Sequence, residues 1–110
     1  GDRACEILLI LAAFKSMHPK SVHINRGNHE CEDLNRRKAN HGGGFYQEVK
    51  SKYCGSTFNL VQRCFNALPL AAKIGNHTLV IHGGLPRHAN STLADIDSIS
   101  YRRPIPSSPS

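Results

Sequence analysis

The chain contains no tryptophan and a single methionine, and no apolar run approaches the ~20 residues that a membrane-spanning helix needs. It also shows no charged leader followed by an apolar stretch and a cleavage site, and neither end carries a lipidation motif. These absences argue against membrane attachment and secretion. We therefore expect the protein in the cytosol, in the nucleus or in both.

Paired cysteines are absent too, because the four thiols show no C-x-x-C spacing. In a cytosolic protein, unpaired thiols are the default and a disulfide framework is rare. We therefore expect all four cysteines to be reduced: Cys5, Cys31, Cys54 and Cys64.

The chain has fewer acidic residues than basic ones, 8 against 14, and a formal net charge of +6. A charge of this sign raises the question of a polyanionic partner. Basic residues are adjacent only in Arg36-Arg37-Lys38 and Arg102-Arg103, and neither run is interleaved with aromatic residues as a base-stacking surface would be. We therefore expect a solvated basic face, with neither a nucleic acid nor a membrane as partner. The alternative, a basic nucleic-acid module, predicts DNA binding that weakens with salt.

The first quarter of the chain predicts an α/β fold. Residues 2–17 are rich in Leu, Ile and Ala without Gly or Pro, which predicts a heavily buried helix with Asp2 as its cap. Pro19 cannot continue that helix, and residues 21–25 then predict a short buried strand that leads into a glycine-containing loop. A helix followed by a strand is a building unit of α/β proteins.

Further helices are expected in the middle of the chain. Residues 31–44 are polar and end in three glycines, so they predict at most a short helix followed by a flexible loop. Apolar spacings of three and four between residues 58 and 68 predict a helix that Pro69 closes.

Two strands and a last helix complete the expected order. Residues 70–74 and 78–81 predict a tight hairpin around Gly75-Asn76. Residues 93–99 predict a short helix with Ser91 or Thr92 as its cap, and the Pro- and Ser-rich tail at 104–110 is expected to be disordered.

Two glycine-bearing loops each follow an apolar segment: Arg26-Gly27-Asn28-His29-Glu30 and His82-Gly83-Gly84-Leu85. In α/β sheets ligands collect beyond the carboxyl ends of strands, so we expect both loops to reach one crevice. Glycine lets a metal or a phosphate approach the backbone closely. Imidazole nitrogen and amide oxygen are suitable ligands for Zn, Fe or Mn, so His29 and His82 are candidates for metal binding or proton transfer.

The remaining histidines lie outside these loops. A lone histidine is usually a surface residue or a hydrogen-bonded core residue. We therefore expect structural roles for five of them: His18, His23, His41, His77 and His88.

Taken in order, the motifs resemble the phosphoprotein phosphatase family of Ser/Thr protein phosphatases, within the calcineurin-like metallophosphoesterases. Residues 26–30 match the family's R-G-N-H-E, 68–71 match L-P-L-A, 82–85 match H-G-G-L and 93–96 resemble L-D-D-I. The resemblance implies a central β-sandwich flanked by helices. Residues 1–103 would then be an incomplete metallophosphoesterase catalytic domain.

The resemblance also implies a mechanism. Asn28 would be an oxygen ligand and His82 a nitrogen ligand of one of two metal ions, Mn or Fe and Zn, and His29 would be the general acid. A metal-activated hydroxide would hydrolyse phosphoserine and phosphothreonine in proteins without a phosphoenzyme. Arg26 and Glu30 would support the ligands, with an ordinary ion pair inside the loop as the alternative. Phosphoproteins are the expected partners, with regulatory domains or subunits in the full-length protein.

Parts of the family pattern are missing from this sequence. The motifs that supply the other metal ligands and the phosphate-binding arginines do not occur, so the resemblance leaves ligands for one metal only. Where the family reads N-x-x-Y-G-F, residues 35–45 form a longer, glycine-rich segment without the tyrosine. We expect this chain alone to be inactive, and poorly soluble or partly molten because apolar surface and strand edges would be exposed.

Two further interpretations stay open from the sequence. Because ligands are missing, the product could be a truncated or pseudo-phosphatase that acts only by binding partners. It could also be a metallophosphoesterase for another substrate, such as a nuclease or a dinucleotide hydrolase. The L-P-L-A segment at residues 68–71 fits the protein phosphatase branch better.

Overall fold

The computed structural model describes residues 2–100 and 102–105, so residues 106–110 of the predicted tail lie outside the described residues. Helices and strands alternate with turns in the order α1 Ala4–Met17, α2 Glu32–Arg36, a 3-10 turn Ala39–His41, α3 Phe45–Lys52, α4 Gly55–Asn66, β1 Ala71–Ile74, β2 Thr78–Ile81 and α5 Leu93–Ser98. Every helix within the described residues is too short or too polar to cross a membrane.

A small aromatic core joins α3 to α4. Phe58 and Phe65 are seven residues apart, so they lie on one face of α4, and both are buried. Val49 of α3 is 1% exposed, and Tyr46 meets the Phe58 ring edge-on with 5.0 Å between ring centroids. Cys5, near the start of α1, is buried in the same cluster. The apolar spacing that predicted α4 is thereby confirmed.

Helix α1 forms where it was predicted, but its predicted burial is wrong. Cys5 is buried, whereas the large apolar side chains that follow are 40–70% exposed: Ile7, Leu9, Ile10, Leu11, Phe14 and Met17. The reason is that α1 packs mainly on α3, and the sheet among the described residues contains only β1 and β2. The exposed apolar face agrees with the expectation for an incomplete domain.

A carboxylate from another helix caps the first turn of α1. The prediction of Asp2 as the cap is wrong, because Arg3 occupies the cap position and offers no side-chain hydrogen bond. The Glu48 carboxylate instead accepts hydrogen bonds from the backbone N–H groups of Ala4 at 3.2 Å and Cys5 at 2.9 Å. A negative charge at this position satisfies free backbone donors and interacts favourably with the helix dipole.

Neighbouring hydrogen-bond donors keep the Glu48 carboxyl group ionised. Lys52 Nζ lies 2.9 Å from the Glu48 carboxylate and 2.7 Å from the carboxylate of Glu6 on α1. Burial alone would raise the pKa of Glu48, but hydrogen bonds from Cys5, Lys52 and Ala4 outweigh burial and lower the pKa to about 2. The hydrogen bonds to Glu6 and Glu48 in turn raise the pKa of Lys52. Charge and packing therefore join α1 to α3 at the same place.

The prediction of a strand at residues 21–25 is wrong, because these residues do not join the sheet of β1 and β2. A strand of a sheet is linked to its neighbour by a ladder of backbone hydrogen bonds. The segment is instead fixed to the hairpin by a side-chain bond from Asn25 Nδ2 to Val80 O at 2.9 Å. Just beyond it, Arg26 N donates to Pro69 O at 2.8 Å. These two bonds place the first glycine-bearing loop beside the hairpin.

The predicted hairpin is confirmed, with β1 antiparallel to β2 and Ala71 opposite Ile81. Gly75 has a φ of 56° and so permits the tight turn between the strands. The short helix expected at residues 93–99 is confirmed as α5, and its cap Thr92 forms a reciprocal capping box with Asp95. The second glycine-bearing loop, residues 82–85, begins directly after the end of β2.

The glycine-rich segment after α2 is closed by its own backbone hydrogen bonds. Gly43 N donates to Lys38 O at 3.1 Å, and Gly44 N donates to Arg37 O at 2.8 Å. Gly43 has no room for a side chain, since an added Cβ would overlap the Arg37 carbonyl group. The short helix expected in this region is confirmed by α2, and the glycine run that follows forms a folded turn leading into α3.

Replacing Glu48 with Gln tests the charged cap of α1. Because the pKa is about 2 in the folded state against an ordinary value of 4.5, the carboxylate stabilises the fold above pH 4.5, and this stabilisation is lost as the pH falls towards 2. We expect Glu48→Gln to lower the free energy of unfolding by about 1–2 kcal/mol at pH 7. Urea unfolding of the full-length protein at several pH values measures the loss.

Glu32→Gln is the matched control, because Glu32 also forms an ion pair one turn along a helix, with Arg36 at 2.7 Å. That pair is about half exposed, and exposed pairs contribute little to stability, so this variant should unfold close to the wild type. Equal losses in the two variants would contradict the role assigned to Glu48, as would a Glu48→Gln loss that does not shrink below pH 4.5.

Candidate active site

The two glycine-bearing loops meet at the end of the hairpin, as the sequence predicts. Asn28 lies in the turn that follows residues 22–27, and His82 follows the last residue of β2. His82 Nε2 and Asn28 Oδ1 are 3.0 Å apart, although the two residues are 54 positions apart in the sequence. Both side chains are exposed. An amide oxygen and an imidazole nitrogen therefore converge on one point that is open to solvent.

Gly27 makes this close approach of the two loops feasible. A Cβ added at Gly27 would lie 2.7 Å from the Glu30 carboxylate and 3.2 Å from the His82 ring. The Gly27 N–H donates to Glu30 Oε2 at 2.8 Å, which closes the turn around Asn28. The space between the turn and the imidazole is thus filled without a side chain, and glycine is the residue that fits there.

Arg26 lies behind the turn and is 5% exposed. Its guanidinium donates to the carbonyl oxygen of Glu30 from Nε at 3.1 Å and from Nη2 at 2.9 Å. It also donates to Asn66 Oδ1 at 2.8 Å and to the carbonyl oxygen of Arg103 at 2.6 Å. Burial lowers the pKa of Arg26, but a guanidinium stays protonated in proteins. A buried positive charge therefore fixes the inner side of the turn.

Arg26 and Glu30 both shape the turn, and they do so through different groups. The Arg26 guanidinium donates to the main-chain carbonyl of Glu30, while the Glu30 carboxylate accepts from the Gly27 N–H. These bonds hold the two ends of residues 26–30 together. That the two side chains thereby support metal ligands stays a prediction.

His29 lies on the same turn and is exposed. It lines an open groove of about 620 Å³ together with Glu30 and His82. Asn28 and His82 also line a second groove of about 350 Å³, whose other wall includes Arg103. The turn therefore lies between two grooves, and His82 borders both.

Two contacts of this site were missed by reasoning from the sequence. Asn66 is 40 positions from Arg26, and nothing in its local sequence indicates that its side chain accepts from a guanidinium. Arg103 takes part through its carbonyl group, which every residue possesses, so no residue pattern could have singled it out.

The histidines that were expected to be structural lie away from the site. His23 Nε2, for example, lies 3.1 Å from the carbonyl oxygen of Lys20. None of the five lines either of the two grooves beside the turn, and all are exposed: His18, His23, His41, His77 and His88.

Comparison with known proteins places this arrangement in a family. The family model described as calcineurin-like phosphoesterase matches residues 1–109. The chain belongs to this family. Its relatives include Serine/threonine-protein phosphatase T of Saccharomyces cerevisiae, 40% identical over 99 residues, and Serine/threonine-protein phosphatase 5 of Homo sapiens, 38% identical over 108 residues.

This calcineurin-like phosphoesterase spans only part of its relatives. The two matches cover 90% and 98% of the chain but 18% and 21% of the yeast and human proteins. A solved structure of a protein serine/threonine phosphatase from Saccharomyces cerevisiae, with similarity to human phosphatase PP5, matches with a TM-score of 0.91 at 38% identity. That match covers 99% of this chain and 33% of the other chain. The predicted fold class, an incomplete calcineurin-like phosphatase domain, is thereby confirmed.

The family implies divalent metal ions, and the donors at the site of this phosphoesterase suit part of such a centre. Asn28 Oδ1 and His82 Nε2, at 3.0 Å from each other, are close enough to bind the same ion. Across residues 2–100 and 102–105, no three His, Cys, Asp or Glu side chains are grouped so that they could hold a metal. Asn28 and His82 would therefore supply two of the ligands of an ion, and its other ligands would come from elsewhere.

Replacing Gly27 with Ala tests the packing between the two loops. The added Cβ would press outwards the end of the flexible Glu30 side chain and the exposed His82 ring. Because both groups can move, we expect Gly27→Ala to lower the free energy of unfolding of the full-length protein by less than the about 1–3 kcal/mol of overpacking in a core, and to weaken Mn²⁺ binding because His82 is displaced. Urea unfolding and calorimetric titration with Mn²⁺ measure the two effects.

Gly55→Ala is the matched control, because Gly55 begins α4 and a Cβ added there meets nothing within 4 Å. Alanine favours a helix more than glycine does, so this variant should be slightly more stable and bind Mn²⁺ normally. If Gly27→Ala were as stable as the wild type and bound Mn²⁺ equally well, the two loops would not depend on this glycine.

Proposed function

We propose that the full-length protein containing this chain hydrolyses phosphoserine and phosphothreonine in proteins. The observation that carries the proposal is the 3.0 Å approach of His82 Nε2 to Asn28 Oδ1, beside the exposed imidazole of His29. The names of the relatives, which are Ser/Thr protein phosphatases, support the substrate class. Activity is proposed for the full-length protein because the chain covers 18% and 21% of those relatives.

Asn28 and His82 would hold one metal ion through the amide oxygen and the imidazole Nε2. Metal ions at this site, Mn or Fe and Zn, would activate the attacking hydroxide and stabilise negative charge on the phosphoryl oxygens. Because the Asn28 amide oxygen only accepts, its hydrogen bond to His82 Nε2 needs a proton on that nitrogen. As a metal ligand, His82 would instead present a lone pair on Nε2 and carry its ring proton on Nδ1, and the hydrogen bond to Asn28 would be given up.

His29 would act as the general acid. The bond between phosphorus and the Ser or Thr oxygen breaks as a new bond forms between phosphorus and the attacking oxygen, with no phosphoenzyme. The departing alkoxide is strongly basic and leaves readily only when it receives a proton, which an imidazolium can donate. Because His29 is exposed, its ring can take up a proton from solvent after each turnover.

Arg26 and Glu30 would keep the ligand-bearing turn in its productive shape. Partners that support metal ligands from behind set the orientation of those ligands, and their loss typically reduces metal affinity or activity by about 10- to 100-fold. The bonds from Arg26 to the Glu30 carbonyl, and from Gly27 to the Glu30 carboxylate, are contacts of this kind.

The chain by itself is proposed to be inactive. Divalent ions in catalytic centres take several protein ligands each, whereas Asn28 and His82 are two. For the chain by itself the second candidate function is a non-catalytic product that acts by binding partners, since the described residues contain no group of three His, Cys, Asp or Glu side chains that could hold a metal. Phosphoproteins, regulatory domains or subunits, and a cytosolic or nuclear location stay predictions for the full-length protein.

Assaying the full-length protein with Mn²⁺ tests the proposal. We expect hydrolysis of a phosphoserine peptide in preference to a bis-nucleotide. His29→Ala should lower kcat by roughly 10²- to 10⁴-fold, because general acid help is lost while substrate binding is retained. Asn28→Ala should weaken Mn²⁺ binding by about 10-fold or more, because a ligand is removed.

Two exposed residues away from the site provide matched controls. His77→Ala changes a histidine in the hairpin turn, and Asn59→Ala changes an asparagine on α4, so both should behave as the wild type. A preference for the bis-nucleotide would overturn the substrate class. Full activity of His29→Ala would overturn its role as the acid. Absence of activity in the full-length wild type with Mn²⁺ would favour the non-catalytic candidate.

A further inference from the structure

The Arg26 guanidinium connects segments of the chain that are far apart in sequence. It contacts Glu30 on its own turn, Asn66 at the end of α4, and Arg103 near the end of the described residues. The backbone of Arg26 adds a bond to Pro69, at the entrance to the hairpin. The position of the turn that carries Asn28 is therefore set by contacts outside the turn.

Among the described residues that accept from the Arg26 guanidinium, Asn66 does so through its side chain. Glu30 and Arg103 accept through main-chain carbonyl groups, which no substitution removes, whereas Asn66 accepts through Oδ1 at 2.8 Å. The same Nη2 that donates to Asn66 also donates to the Glu30 carbonyl at 2.9 Å. Because a guanidinium is planar and rigid, fixing Nη2 on one side also fixes its direction towards Glu30.

Helix α4 gives Asn66 a fixed position. Phe58 and Phe65 anchor this helix in the aromatic core, and Asn66 is its last residue. The chain of contacts runs from the core through Asn66 and the Arg26 guanidinium to the carbonyl of Glu30. Glu30 in turn accepts from the Gly27 N–H, one residue before Asn28.

We propose that Asn66 is a positioning residue for the metal-binding turn and acts through Arg26. Its catalytic consequence rests on the proposed phosphatase function, but its effect on the geometry of the turn does not. Without the Asn66 oxygen, Nη2 keeps its bond to the Glu30 carbonyl but is no longer held from the end of α4, so the guanidinium can shift together with that carbonyl. The Glu30 carbonyl then shifts, and the Asn28 oxygen no longer meets His82 Nε2 at a distance suited to one ion.

Calorimetric titration of the full-length protein with Mn²⁺ tests this proposal, with Asn66→Ala and Asn66→Asp as variants. Partners that touch metal ligands typically change metal affinity by about 10- to 100-fold, and because Asn66 acts through Arg26 we expect Asn66→Ala to weaken Mn²⁺ binding by about 10-fold, the low end of that range. Asn66→Asp keeps an oxygen acceptor for the guanidinium, so its Mn²⁺ affinity should return to within a few-fold of the wild type. Recovery of affinity in Asn66→Asp would assign the effect to the oxygen that accepts from the guanidinium.

Two further variants of α4 serve as controls. Gln62→Ala removes a buried polar side chain of the same helix and should lower stability without changing Mn²⁺ affinity. Asn59→Ala removes an exposed asparagine and should change neither quantity. Wild-type affinity in Asn66→Ala would overturn the proposal. So would a loss in Asn66→Asp equal to that in Asn66→Ala, or an equal loss of affinity in Gln62→Ala.

The same titration separates this proposal from the proposed function. If the wild type binds Mn²⁺ and Asn66→Ala binds it weakly, the positioning role stands even when no phosphoserine peptide is hydrolysed. If the wild type hydrolyses the peptide and Asn66→Ala retains full Mn²⁺ affinity, the phosphatase function stands and the role of Asn66 is wrong.

Discussion

Arg26 places a positive charge where only 5% of the residue remains exposed, and an unpaired charge in such a position would be costly. The carbonyl oxygens of Glu30 and Arg103 and the Asn66 side chain compensate for that cost. Because these groups come from separate parts of the chain, the guanidinium has all of these hydrogen bonds only when the turn, the end of α4 and the segment at Arg103 are folded together. The turn that carries the candidate ligands thus takes its shape from the fold around it.

Packing and hydrogen bonding act together at this turn. Gly27 leaves just enough space for the His82 ring, and the Glu30 carboxylate occupies the position that a side chain at residue 27 would need. The hairpin brings His82 to the same point from the opposite direction. His82 Nε2 and Asn28 Oδ1 therefore lie 3.0 Å apart. Each loop contributes one of these two candidate ligands.

Much of this arrangement could be predicted from local sequence. Spacing identified α1, α4 and the hairpin, and the glycines identified both site loops, because these features depend on residues close together in the chain. The Glu48 cap of α1 was missed in favour of Asp2, since its partner is more than 40 positions away. The contact of Asn66 with Arg26 was missed for the same reason.

Burial was the hardest property to predict. The apolar sequence of α1 predicts a buried helix, but most of its large apolar side chains are exposed. The reason is that, among the described residues, α1 packs mainly on α3. Residues 21–25 likewise form no strand within the described part of the chain. Both observations fit a chain that covers 33% of the solved phosphatase structure it resembles.

Asn28 and His82 are proposed to share a metal ion in the full-length protein. Anomalous X-ray diffraction from crystals of that protein grown with Mn²⁺ locates such an ion. We expect an anomalous peak within bonding distance of both Asn28 Oδ1 and His82 Nε2. A metal bound elsewhere, with the direct hydrogen bond between these two side chains intact, would contradict the proposal.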